Sequence, residues 1–292
     1  MIELKNEFLT VGLHPKGAEI HRIEGNQDHI NYMWKRDPRQ WASSAPILFP
    51  IVGAVRNDEY RIGDKKYHLT QHGFARHNEF NTNQVDDTKV IFTLEPNEEI
   101  KKQYPYAFLL EVTYTLSKNN LSCHINVKNT DQQDIYFQVG GHPAFACPFM
   151  DGESSNDYYV EMSEPETLNR KIIDVAKRGM SHIEEPFYDQ EQRFFVRQQL
   201  FDRDAIVFKN FKSESISLKS LNHDKSIVFH MHGFDHVGLW TAKHVGDLLA
   251  IEPWVGHADY VDFDGELKDK ESAVCLKPNE QFECEFVIEI NQ

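Results

Sequence analysis

Apolar residues in this chain recur at every second position in short runs, and no sustained stretch shows the three-to-four spacing of a helix face. The last segment is the clearest. In Phe282-Glu283-Cys284-Glu285-Phe286-Val287-Ile288-Glu289-Ile290 one face carries Phe282, Cys284, Phe286, Ile288 and Ile290. Period-two alternation is the signature of a strand with one buried face. The pattern repeats in Phe108 to Leu116 and Leu121 to Asn129, joined by Ser117-Lys118-Asn119-Asn120, which reads as a hairpin. It appears again in 8–13, 18–23, 90–94, 205–208, 215–220, 226–231 and 237–241. Many short strands with polar turns specify an all-β protein, and their number points to one large β-sandwich spanning 1–292. There is no fixed repeat, which disfavours a propeller.

Elsewhere the pattern weakens. Ala45 to Gly53 is apolar but bracketed by Pro46 and Pro50, so it reads as a buried connector. Pro96 to Lys102 has room for one helical turn. Residues 150–200 read as more polar and irregular; Tyr158 to Met162 is strand-like, and Glu184 to Gln199 reads as a charged surface segment.

Composition narrows the function. With 40% hydrophobic residues in 292, the chain can fill a large core. A net charge of -15 argues against nucleic acid and against anionic membranes as partners. No apolar run reaches the length of a membrane span. Cys123, Cys147, Cys275 and Cys284 are widely spaced, and Met1 to Glu7 is polar rather than leader-like. The expectation is therefore a cytoplasmic protein with reduced thiols used as small core residues.

Chemistry concentrates at a few strand ends. Tyr136 to Phe145 reads as a strand running into a glycine-marked turn at Gly140-Gly141 that presents His142 before Pro143. A β-turn with an incidental histidine accounts for this stretch by itself. What favours a functional reading is His72, in a similar setting beside Gly73, and Glu252 at the end of Leu248-Leu249-Ala250-Ile251. A partly desolvated carboxylate and an imidazole can move protons between two oxygens of one small molecule. Arg56, ahead of a turn, is either a surface charge or a fork for ligand hydroxyls or phosphate. His230, His232 and His236 could mimic a metal site, but no carboxylate is fixed nearby, and solvent-facing histidines are the favoured reading. No nucleophile elbow, phosphate loop or dinucleotide fingerprint is present.

Four segments taken in order resemble the aldose 1-epimerase (galactose mutarotase) family, in particular its LacX-like branch. They are Gly53 to Tyr60, His72-Gly73-Phe74-Ala75-Arg76, Gly140 to Phe145, and Ile251-Glu252-Pro253-Trp254. The resemblance implies a β-supersandwich and cofactor-free interconversion of sugar anomers, with no metal. It implies Glu252 as general base, His142 as general acid and His72 as a second histidine at the sugar. Arg56 and an aspartate, Asp204 in preference to Asp202, would hold hydroxyls; Trp254, Phe74 and Phe145 would stack on sugar faces. Arg76 or Lys209 would serve a phosphate if the sugar carries one. Two alternatives accompany this reading: a non-catalytic carbohydrate-binding protein on the same scaffold, and a hexose-6-phosphate mutarotase. Exposed strand edges leave monomer and homodimer both open.

Overall fold

The structure is a computed structural model and describes residues 1–242 and 247–292. Alternation becomes strand wherever one face meets a core. Phe108–Ser117 pairs antiparallel with Asn120–Asn129, setting Leu116 opposite Leu121 and Val112 opposite Ile125. Leu110, Val112, Tyr114, Cys123, Ile125 and Val127 are all fully buried. A one-residue slip would turn this whole row to water, at about 1.5–3 kcal/mol for each large side chain, so the register is fixed by burial.

The largest sheet has 15 strands. It begins at the edge with Ile47–Leu48, passes through Val139–Gly141, Leu248–Val255, His236–Trp240 and Ile206–Lys209, and reaches Tyr158–Asp174. It continues through Ser215–Ser220, Ser226–His232, Gln281–Asn291 and the hairpin to Lys89–Leu94 and Asn81–Gln84. So long a twisted sheet must curl over itself to bury its face. Phe145 pairs onto Leu248–Val255, yet its ring lies 6.2 Å from Phe229, five strands further along. The two arms therefore face each other across one core, which is a sandwich. A three-stranded sheet, Ile2–Lys5, Leu9–His14 and Glu19–Gly25, adds to it. Tyr114 Oη donates to Ala18 O at 2.7 Å there. The one α-helix among the described residues, Glu98–Gln103, is capped by Asn97, whose side chain accepts from Glu99 N and Ile100 N.

Two sequence expectations change. Residues 158–195 are not irregular: Tyr158–Asp174 and Gly179–Phe195 form a hairpin of 17-residue strands. Bulges between Glu161 and Glu166, and again near Leu168 and Lys171, shift its register and scramble the alternation. Glu166 closes the first bulge; its buried carboxylate accepts from Lys212 N, Ser213 N and Ser213 Oγ, each at 2.8 Å. The second change is at Gly140 and Gly141, which lie within the strand Val139–Gly141. Neither has a left-handed φ; a Cβ on Gly140 would stand 2.7 Å from Pro253 O, so the glycine admits a neighbouring strand rather than a ligand. No disulfide forms; Cys123, Cys147 and Cys284 are buried thiols. No described helix is long and apolar enough to cross a membrane.

Candidate active site

The strand Leu248–Val255 is buried along its whole length. One flank pairs with two short strands, Gly140 opposite Trp254 and Ala144 opposite Ala250. Continuing that register across the gap sets His142 opposite Glu252. Pro143 has no N–H to give, but its carbonyl accepts from Ile251 N at 3.0 Å and holds the chain in place. On the other flank Gly238 stands opposite Glu252, and its missing side chain makes room for the Trp254 indole. Cross-strand partners share a face, and here His142 Nε2 lies 3.1 Å from Glu252 Oε2.

His72 joins them from a loop. Its φ of 66° is left-handed, an uncommon state for a residue with a Cβ. Gly73 follows because a Cβ there would stand 2.2 Å from Phe49 O. His72 N donates to Gly53 O at 2.8 Å, and His72 Nδ1 accepts from Gly53 N at 3.1 Å. An accepting Nδ1 places the ring proton on Nε2. The His72 and His142 rings meet edge to face at 5.7 Å.

Burial dominates the proton affinities of all three groups. It lowers His142 well below its ordinary 6.5, and the charges of His72 and Arg76 act the same way. It lowers His72 to about 3, with Arg76 adding to the effect. It raises Glu252 well above 4.5, with the nearby Asp204 charge reinforcing it.

These groups line a cavity of about 340 Å³, within the range of small-molecule sites. Trp254 and Asp204 are in its wall. Asp204 has φ 75° and its Oδ1 accepts from Ala205 N at 2.8 Å; Asp202 is exposed and outside the lining. Arg76 also lines the cavity, and no described residue accepts a side-chain hydrogen bond from it. Trp41 and Trp240 flank His142 at 4.6 and 5.5 Å between ring centroids. Neither tryptophan was singled out from sequence, nor was Arg178, another lining residue, whose guanidinium forks onto Asp58 at 3.0 and 3.1 Å. An aromatic beside a break such as Asp37-Pro38 is the only trace of Trp41 in the sequence.

Other residues lie elsewhere. Arg56 is exposed and outside the cavity wall, with Nη1 donating to Phe263 O at 3.3 Å. Left-handed φ values at Asn57 and Asp58 turn the chain away immediately after it. Phe74 packs in the core against Phe49 and Phe108, and Phe145 against Phe229. Lys209 is paired with Glu271. His230 faces Glu289 at 3.1 Å and His232 is exposed, so these two do not gather with His236.

A buried acid–base pair in a tryptophan-walled cavity, on a curled β-sandwich, defines a class of small-molecule isomerase or binding protein. The sequence profile of the aldose 1-epimerase family matches residues 1–287, and the chain belongs to that family. It is 34% identical over 286 residues to the chromosomal Protein LacX of Lactococcus lactis subsp. lactis, covering 95% of each chain. The plasmid form of LacX from the same organism matches to the same extent. Among solved structures, a galactose mutarotase related enzyme from Lactobacillus acidophilus superposes with a TM-score of 0.95 at 30% identity, covering 100% of this chain and 97% of that one. A galactose mutarotase-like protein from Lactobacillus casei gives 0.93 at 30% identity, covering 100% of both chains.

Proposed function

We propose that this protein, folded as one domain over 1–292, interconverts the α and β anomers of a hexose or related sugar without a cofactor. The observation that carries the reading is the His142–Glu252 contact of 3.1 Å inside the cavity. Burial disfavours a charge on either group; the pair reacts in the form that carries one shared proton, which moves onto His142 as the sugar binds and leaves Glu252 as the carboxylate.

Sugar enters with C1 and its ring oxygen at this pair. Glu252 takes the proton from the C1 hydroxyl while His142 gives one to the ring oxygen. The bond from C1 to the ring oxygen breaks, its electrons go to that oxygen, and C1 becomes an aldehyde. Rotation about the C1–C2 bond presents the other carbonyl face. Closure runs the proton transfers backwards: Glu252 returns its proton to the C1 oxygen and His142 recovers one from the ring-forming hydroxyl. The pair ends in its starting state, so no co-reactant is needed.

The wall supports the same reading. Trp254, two residues along the same strand, turns its indole N–H toward Glu252 and opposes the upward shift of the carboxyl. Arg76 and Asp204 hold hydroxyls remote from C1, His72 anchors the sugar beside His142, and the tryptophans cover its apolar faces. Polarimetry of freshly dissolved α-galactose, α-glucose and α-glucose 6-phosphate, with and without protein, tests this. Acceleration over buffer supports the reading and ranks the sugars. No acceleration, with binding retained in a calorimetric titration, selects a non-catalytic sugar-binding protein instead.

A further inference from the structure

A second cluster of titratable groups lies behind Trp254, outside the sugar cavity. His236 opens the strand His236–Trp240, directly opposite Trp254. His257 follows Leu248–Val255 after Gly256, and Glu271 follows the short turn Leu267–Asp269. His236 Nδ1 lies 2.8 Å from Asp235 Oδ1, and His257 Nδ1 lies 2.6 Å from Ala258 O. A carboxylate and a carbonyl only accept, so each Nδ1 carries the hydrogen and each neutral ring turns a lone pair outward at Nε2. Both Nε2 atoms are buried with no geometrically formed hydrogen bond among the described residues, in side chains 0% and 2% exposed. His257 Nε2 nevertheless faces Glu271 Oε2 at 3.3 Å. Two acceptors in that position repel each other unless a cation stands between them.

We propose that His236 Nε2, His257 Nε2 and Glu271 Oε2 form a binding site for a divalent metal ion of the zinc type. One ligand atom from each of the three residues lies within 4.8 Å of the other two. An ion at about 2.0–2.1 Å from each needs ligand separations of roughly 3.3 Å. The His257–Glu271 pair has that spacing already, and a small swing of His236 completes the set. Two imidazoles and a carboxylate suit zinc, with a fourth position left for water. The surroundings are those of a ligand set: Asp235 orients His236, and the Ala258 carbonyl orients His257. Asp235 also accepts from Gly256 N at 3.0 Å and from Ser272 Oγ, tying both loops to the site. Glu271 is shared: Tyr260 Oη donates to Oε2 at 2.7 Å and the Lys209 ammonium takes Oε1, leaving one Oε2 lone pair for the ion. Ala258 lines the sugar cavity, so the ion would pin one part of its wall.

The test uses untagged full-length protein stripped with chelator, then titrated with Zn²⁺ against a chromophoric competitor and with Co²⁺ by visible absorption. The expected result is one Zn²⁺ per chain, a raised Tm, and Co²⁺ bands of four-coordinate intensity. His257→Gln should abolish binding, and Asp235→Asn should weaken it by about 10–100-fold. Substoichiometric binding to the wild-type protein overturns the proposal and leaves His257 as an imidazolium paired with Glu271. Binding unchanged in both variants also overturns it, by moving the ion to surface histidines. If a variant fails to fold, the wild-type Co²⁺ spectrum decides: weak octahedral bands count against the site.

Discussion

His142 and Glu252 occupy one cross-strand position, Nε2 to Oε2 at 3.1 Å, although Pro143 interrupts the strand at that point. The interruption matters. A continuous ladder would bring the strands together through backbone bonds alone, whereas here the two side chains meet at the floor of a cavity. Burial then pushes their proton affinities towards each other, the acid up and the imidazole down.

The pH dependence of kcat/KM follows from those directions. The working state holds one proton on the pair, and it is lost on the acid side when the pair gains a second. His142 is held below 6.5, so the acid limb should be centred below pH 6.5. A rate that falls with an apparent pKa above 6.5 would contradict this assignment.

His72 sets a pH dependence of stability. Unfolded, it titrates near 6.5; folded, at about 3. Between these values the unfolded chain binds a proton that the folded chain refuses, so stability falls as pH drops from 6.5 and rises again as pH is raised. The cost approaches about 1.4 kcal/mol per pH unit well below 6.5. His72→Gln should show a smaller fall in Tm than the wild type between about pH 7 and about pH 5. Equal falls in both proteins would refute the assignment.

The two arginines should separate cleanly. Arg76 faces the cavity with no hydrogen-bond partner among the described residues, and Arg56 does not reach it. A charge-assisted hydrogen bond to substrate is worth about 1.5–3 kcal/mol, so Arg76→Ala should raise KM by about tenfold or more. Arg56→Ala should leave KM within about twofold, as expected of a surface side chain. Steady-state kinetics on the pair checks both, and the reverse ranking would place the substrate in the wrong cavity.

Gly238 supports Trp254. A Cβ added there would stand 2.6 Å from Trp254 Cη2 and 2.7 Å from Cζ2. Gly238→Ala should displace the indole and raise KM, with an overpacking cost of about 1–3 kcal/mol. Unchanged tryptophan fluorescence and unchanged KM together would show that the ring is not held by this contact.

How much of this was legible in the sequence depended on burial. The Phe108–Asn129 hairpin was readable because one face is wholly buried, so alternation survives intact. Of the Tyr158–Asp174 and Gly179–Phe195 hairpin only Tyr158 to Met162 was readable, because bulges then shift the period and the second strand is largely exposed. Glu252 and His142 stood out as ionisable residues inside apolar runs, yet their pairing emerges only from a register that spans a proline. Arg56 misled because its neighbour Gly53 does line the cavity; the left-handed turn at Asn57 and Asp58 carries Arg56 elsewhere. Trp41 and Trp240 reach His142 from segments distant in the chain, and only the nearby Asp37-Pro38 break marks Trp41.

The most direct measurement is the anomer exchange rate of wild-type protein and Glu252→Gln, read by exchange spectroscopy of the anomeric protons at equilibrium, with sugar binding measured in parallel. The amide keeps the shape of the carboxyl and removes its basicity. The account predicts a rate reduced by about 10²–10⁴-fold with binding within a few fold. A variant that still exchanges anomers at the wild-type rate would show that Glu252 does not carry the proton, and the His142–Glu252 pair would lose its role.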